Sequence, residues 1–272
     1  MLWSKAAGAG GTLGGGGEGW DISTATLLQS ASISSQTGSP AGFFLKPDGL
    51  KLYLCDGSFS RVLEYSLASP WDISSLTYVD FLDVSGKESG LRGVSFKTDG
   101  VNVYVTGSTS DSVHAYTLST AWDVSTAVFS KSRTLATENS FPHGLTFKPD
   151  GTKMYAVNYL AHDMDEYTLS SAWDIGTASF EHTFNLSSEG LYPRQVFFKP
   201  DGLVMYTMDN GQDVNQYTLS AAWDISTASF LQNFSVSGED SFPNGLFFKP
   251  DGTKMYVVGS SSDNIYEYDV SS

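Results

Sequence analysis

The chain has 272 residues, 40% of them apolar and 17% charged, so it has the material for a large core and not the composition of a disordered chain. Fifteen Lys and Arg against 30 Asp and Glu give a net charge of −15. That excludes a sequence-blind nucleic-acid binder working by phosphate neutralisation and disfavours adsorption to an anionic membrane. A single cysteine, Cys55, excludes an internal disulfide framework, and no apolar run approaches the length of a membrane helix.

In chain order, residues 1–19 stand apart. Met1, Leu2 and Trp3 make an apolar tip, and the glycine-rich tract behind them lacks the apolar segment of a secretory signal. The expectation is a tether that docks the chain, through Met1, Leu2 and Trp3, to other subunits of a larger assembly, in a virion-associated or cytoplasmic location. Gly14-x-Gly16-x-x-Gly19 formally matches a dinucleotide pattern, but no strand precedes it, and no cofactor is expected.

Residues 20–272 repeat. Trp20, Trp71, Trp122, Trp173 and Trp223 each precede Asp-Ile or Asp-Val, at spacings of 51, 51, 51 and 50 residues. Asp48-Gly49, Asp99-Gly100, Asp150-Gly151, Asp201-Gly202 and Asp251-Gly252 keep that period. So do the tyrosine pairs Tyr53 and Tyr65, Tyr104 and Tyr116, Tyr155 and Tyr167, Tyr206 and Tyr217, and Tyr256 and Tyr268. Three markers in one register define a repeated supersecondary unit.

Each unit reads as four short strands. In the last unit, strand A is 245–249, Pro250-Asp251-Gly252 makes a tight turn, strand B is 254–258, and a polar loop at 259–263 leads to strand C at 265–268. In the middle units a Trp-Asp-Ile corner follows, then strand D, as at 178–184. No unit shows a helical period. The chain starts with a corner and one strand, 24–33, and stops where other units continue into their corner. The first strand therefore supplies the missing strand D of the last unit, which closes a ring and removes both sheet edges. The prediction is an all-β, five-bladed β-propeller of four-stranded antiparallel blades with "three plus one" closure, not a solenoid, which needs atypical capping units.

The repeats Phe147–Tyr155 and Phe248–Tyr256, with Ala172–Phe180 and Ala222–Phe230, resemble those of five-bladed propellers from bacterial, marine-viral and environmental sequences. The resemblance covers residues 20–272 and implies the fold, which hosts many activities. The N-terminal segment resembles, more loosely, the Trp- and Gly-rich starts of phage tail and fibre proteins.

The strand order puts the Pro-Asp-Gly turns and Trp-Asp-Ile corners on one face, so the units vary on the other. Just before strand A, equivalent positions carry Ala41, Arg92, His143, Arg194 and Asn244. These should surround the mouth of the central channel as a donor-rich patch for a carboxylate, sulfate, phosphate or sugar. The alternative is that they pair with Glu88, Glu138, Glu189 and Glu239. The B–C loops of units three and four add Asn158, Tyr159 and His162, then Asp209, Asn210 and Asp213, with Tyr192 and Gln195 adjoining. This mixture suits sugar hydroxyls or a protein surface. The Asp209–Asp213 loop lacks the full calcium-loop pattern, so no metal is expected. No Gly-x-Ser-x-Gly elbow is present, and no A strand carries the carboxylates a glycosidase needs.

The reading drawn from these residues is a non-enzymatic structural and recognition propeller. It belongs to a larger assembly of phage-tail type and presents its variable face to host-surface, glycan or protein partners, with no nucleic acid and no membrane insertion. The alternatives are a soluble lectin-like protein and a metal-dependent hydrolase or lactonase.

Overall fold

The computed structural model describes residues 19–138 and 140–271, and the expected docking residues Met1, Leu2 and Trp3 lie outside them. Twenty strands form five four-stranded antiparallel sheets. Strand β1 is Thr26–Ser32. Blade 1 is β2 (Pro40–Leu45), β3 (Lys51–Asp56), β4 (Arg61–Leu67) and β5 (Leu76–Asp83), and blade 2 is β6 (Leu91–Phe96), β7 (Asn102–Gly107), β8 (Ser112–Leu118) and β9 (Ala127–Thr134). Blade 3 is β10 (Pro142–Phe147), β11 (Lys153–Asn158), β12 (Asp163–Leu169) and β13 (Ala178–Asn185), and blade 4 is β14 (Gln195–Phe198), β15 (Val204–Met208), β16 (Asp213–Leu219) and β17 (Ala228–Ser235). Blade 5 is β18 (Pro243–Phe248), β19 (Lys254–Gly259) and β20 (Asn264–Asp269), completed by β1, which pairs antiparallel with β20. The A strands begin up to two residues earlier than their repeat pattern suggested, because Pro40, Pro142 and Pro243 enter the ladder at its edge. No helix among the described residues is long and apolar enough to cross a membrane.

Two of the sequence markers turn out to be one device. Gly49 sits at φ 73° in the turn, and its carbonyl accepts the amide of Trp71 at 3.0 Å, while Trp71 itself holds φ 64°. The indole lies flat on the glycine, where a Cβ would come within 2.5 Å of it. All five units repeat this, including Gly252 with Trp20 across the chain termini. The Asp after each Trp then caps a single 3-10 turn, as Asp72 does by accepting Ser74 N at 3.0 Å.

The third marker joins the blades. The buried phenols of strand B donate to the corner carbonyl of the next blade: Tyr53 to Trp122 at 2.7 Å, Tyr104 to Trp173 at 2.8 Å, Tyr155 to Trp223 at 2.7 Å, Tyr206 to Trp20 at 2.5 Å and Tyr256 to Trp71 at 2.8 Å. Between blades the apolar sheet faces form clusters such as Leu52, Leu54, Leu63 and Ile73 with Tyr256 and Val258. The core is thus a ring of interfaces around an open axis, and its two ends are the places for a site.

Candidate functional site at the axial mouth

Each A strand opens at the end opposite the Trp corners, and the residue there points at the axis. Arg92, His143, Arg194, Asn244 and Ala41 come together, one per blade, around a cavity of about 280 Å³ that Ser39, Phe141, Tyr159 and Ser260 also line. Asn244 is held by donating Nδ2 to Pro40 O at 2.8 Å and to Ser260 Oγ at 2.9 Å. It receives Arg194 Nη1, while Arg194 Nη2 donates to Asn210 Oδ1 at 2.7 Å. Arg194 Nε is buried without a partner, and burial holds its guanidinium below the ordinary arginine range. Among the described residues Arg92 makes one hydrogen bond, at the limit of the distance range, from Nη1 to Leu91 O at 3.5 Å.

Among the described residues neither arginine forms an ion pair with a carboxylate. Among the described residues the only arginine ion pair is Arg61 with Asp56, at 3.1 Å. The glutamates weighed as partners are engaged elsewhere: Glu88 accepts Ser110 Oγ at 2.6 Å and Gly90 N at 2.7 Å, Glu138 accepts Thr137, Glu189 accepts Ser188, and Glu239 accepts Tyr268. The mouth is therefore a patch of positive charge without a direct ion pair, in a protein of net charge −15. His143 is 5% exposed, and its Nε2 is buried with no partner. Burial, reinforced by Arg92 and then Arg194, holds its pKa well below the usual imidazole range, so it is neutral.

One wall is aromatic. Tyr159 stacks on His143 with centroids 4.4 Å apart at 14° and carries the Arg194 guanidinium 5.3 Å from its own centroid. Tyr192 follows at 5.0 Å from Tyr159, and His162 meets Tyr192 edge-on at 4.5 Å. The mouth thus combines anion-binding donors with flat apolar surface.

The remaining predicted residues do not join this cavity. Asn158 is buried and accepts Ala161 N at 3.3 Å, closing its own loop. Gln195 lies inside the channel. Asp209, Asn210, Asp213 and Tyr192 line a separate cavity of about 390 Å³ beside blade 4, with Asn210 and Tyr192 bridging towards the mouth. Asp209 is structural: it accepts Asn215 Nδ2 at 2.9 Å and Asp213 N at 3.2 Å. In blades 2 and 5 the same work is done from the D–A connection by Glu88 and Asp240, and strand B then carries Gly107 or Gly259, where a Cβ would strike that carboxylate. In blade 4 the carboxylate has moved to the B–C loop, and Gly190 makes room for it.

Sequence reading missed one cluster: Glu166, His182 and Asp224, whose ligand atoms all lie within 4.8 Å of one another. His182 Nε2 is 3.4 Å from Glu166 and 3.7 Å from Asp224. The repeat explains it. At the same place on strand D, Gln29 donates to Asp72 at 3.1 Å, Lys131 to Asp174 at 2.7 Å and Gln232 to Asp21 at 2.8 Å, each tying one blade to the corner of the next. His182 occupies the strap position of the blade 3–4 interface, although its Nε2 makes no hydrogen bond among the described residues, and Glu166 is already taken by Lys153 and by Ile225 N.

No protein-family model matches the chain, and no curated protein matches it. Solved structures do. A candidate 6-phosphogluconolactonase from Bacteroides fragilis shares the fold with a TM-score of 0.57 at 13% identity, over 85% of this chain and 80% of that one. A protein from Lactobacillus plantarum gives 0.54 at 17% identity, over 85% and 67%. The periplasmic gluconolactonase of Pseudomonas aeruginosa gives 0.50 at 18% identity, over 85% and 66%. At these identities the likeness is one of fold. It corrects one expectation all the same. The chain was expected to be non-enzymatic because familiar catalytic motifs are missing, yet propellers named as lactonases share its architecture, so missing motifs are no argument against catalysis.

Proposed function

We propose that the axial mouth is the active site of a hydrolase that opens lactone or ester bonds in small anionic substrates. The observation that carries this reading is the meeting, in one cavity, of two guanidinium groups without carboxylate partners and a neutral imidazole. The lactonase names of the fold neighbours suggest the reaction class, and the arginines supply the preference for a phosphate or carboxylate group.

In the reaction, water attacks the carbonyl carbon and gives its proton to His143 Nε2, with the ring's own proton on Nδ1. The C–O bond of the ring breaks, and the departing alkoxide takes the proton back from Nε2, leaving a hydroxy acid. A guanidinium facing the carbonyl oxygen stabilises the oxyanion. The depressed pKa keeps His143 in its base form across neutral pH. Nε2 is covered, so substrate entry has to uncover it. Among the described residues that line the mouth there is no carboxylate or thiolate, so its donors do not suit a divalent metal.

The test is a hydrolysis assay on a phosphorylated sugar lactone and its unphosphorylated counterpart. The phosphorylated one should react at least about tenfold faster in kcat/KM, and His143→Gln should lower kcat by about 100-fold, the usual scale for losing a general base. Hydrolysis no faster than the spontaneous rate on every lactone tried would overturn the reading.

A further inference from the structure

The axis holds a second cavity, of about 180 Å³, which Pro149 and Pro200 line near the turn face, and its walls come from a break in the repeat. One register position on strand A, opposite the strand B tyrosine, is Phe44 in blade 1, Phe197 in blade 4 and Phe247 in blade 5, but Ser95 in blade 2 and Thr146 in blade 3. All five line the cavity. Blades 4, 5 and 1 are adjacent, so their rings form one continuous wall, with Phe197–Phe247 at 5.2 Å and Phe44–Phe247 at 5.4 Å, both edge-to-face. Blades 2 and 3 are adjacent too, so the opposite wall carries two hydroxyls where phenyl rings would otherwise fill the axis.

The roof is a second break. The residue two positions before is Gly42, Gly93, Gly144 and Gly245 in four blades and Gln195 in blade 4. A Cβ on Gly144 would collide with the Gln195 carboxamide, and one on Gly42 would lie 3.3 Å from Nε2, so this side chain reaches across the axis to a blade it does not adjoin. Its Oε1 accepts Val196 N at 3.1 Å. Gln195 lines this cavity and not the mouth, so the two chambers are separate sites.

The Ser95 and Thr146 side chains have no hydrogen-bond partner among the described residues, although Ser95 is only 4% exposed. Both hydroxyls therefore face the chamber with their donor and acceptor capacity open to whatever occupies it. A cavity of about this size has room for a benzene-sized ring. We propose that this chamber is a binding site for a small aromatic molecule carrying one hydroxyl. Its ring lies against Phe44, Phe247 and Phe197, and its hydroxyl exchanges hydrogen bonds with Ser95 and Thr146. The proposal does not depend on the reading of the mouth.

Phenol is the probe, with toluene as its apolar counterpart, titrated into the full chain by calorimetry and followed by ligand-observed NMR. Phenol should bind, and Ser95→Ala with Thr146→Val should weaken it at least about tenfold, the scale of two lost hydrogen bonds, while leaving toluene unaffected. Ser95→Phe, which restores the commoner residue of the repeat, should abolish both without lowering the melting temperature. Should that variant not fold, the hydroxyl-deleted pair still decides. Arg92→Leu at the mouth should leave phenol binding unchanged. Equal phenol affinity in the Ser95→Ala, Thr146→Val chain, loss of binding in Arg92→Leu, or a cavity that holds water and no phenol would each overturn the proposal.

Discussion

The phenol of Tyr206 donates to the backbone carbonyl of Trp20 at 2.5 Å, joining residues 186 positions apart. It is the same bond that links every other pair of neighbouring blades, and here it spans the join between the two ends of the chain. Ring closure is therefore an extension of the repeat rather than an added device.

The five bonds are not equally backed. Trp122 O also accepts Lys51 Nζ at 2.8 Å, and Trp223 O accepts Lys153 Nζ at 2.9 Å. Strand B of blade 2 has Asn102 in place of that lysine, and among the described residues Tyr104 alone donates to Trp173 O. Tyr104→Phe should therefore cost about 1–3 kcal/mol, the range for stranding a buried acceptor, and Tyr53→Phe about 1 kcal/mol or less. Chemical denaturation of the two variants compares them directly. Equal losses would mean that the lysines give no support.

The moved carboxylate of blade 4 makes a double-mutant cycle. Asp209→Gly should destabilise by removing the acceptor of Asn215 and the Asp213 amide. Gly190→Asp alone should also destabilise, because its Cβ collides with the Asp209 carboxylate. The two together rebuild the arrangement of blade 5, where Asp240 accepts Ser262 Oγ at 2.7 Å opposite Gly259. The double variant should recover at least about 1 kcal/mol relative to the sum of the singles. Additive losses would contradict the equivalence.

Burial raises the Asp163 carboxyl from 3.8 to about 6, and its Oδ1 has no partner. Between about pH 4 and 6 the unfolded chain releases a proton that the folded chain keeps. Stability from this group therefore falls as pH rises through that window and stays reduced above it. Asp163→Asn should melt higher than the parent at pH 7 and by a smaller margin at pH 4. A margin independent of pH would show that the carboxyl ionises normally.

If His182 is a strap and not a metal ligand, His182→Gln should preserve stability, since Gln29 and Gln232 do the same work in other blades. His182→Ala should lose about 1 kcal/mol. Zinc should leave the thermal midpoint of the parent unchanged. A zinc-dependent rise that His182→Gln removes would identify a metal site instead.

Much of this fold was legible because the repeat exposes it. Three markers in one register fix blade number, closure and the face on which the blades differ, and the structure shows why they travel together: Trp packs on Gly, and Tyr reaches the Trp carbonyl. The mouth residues Arg92, His143, Arg194 and Asn244 were visible as the variable position before strand A. Contacts between loops were not. Gln195 follows Arg194 directly, yet it turns into the channel, because the side chain of the next residue along a strand faces elsewhere. Asp209 reads in the sequence as part of the binding face, and only its closeness to Gly190 reveals it as the stand-in for a carboxylate placed differently in blades 2 and 5. The mouth was harder to read as one site, since motifs run along the chain while the mouth gathers single residues from separate blades.

The central claim is that Arg92 and Arg194 make the mouth an anion-selective site. The most direct measurement is kcat/KM for a phosphorylated and an unphosphorylated sugar lactone, in the parent and in Arg92→Leu, which frees a cavity residue that anchors no loop. The account predicts a preference for the phosphorylated substrate that falls at least about tenfold in the variant, the scale of one lost charged hydrogen bond, with the rate on the neutral lactone changing little. Equal turnover of both lactones by the parent, or a preference that survives in Arg92→Leu, would contradict it.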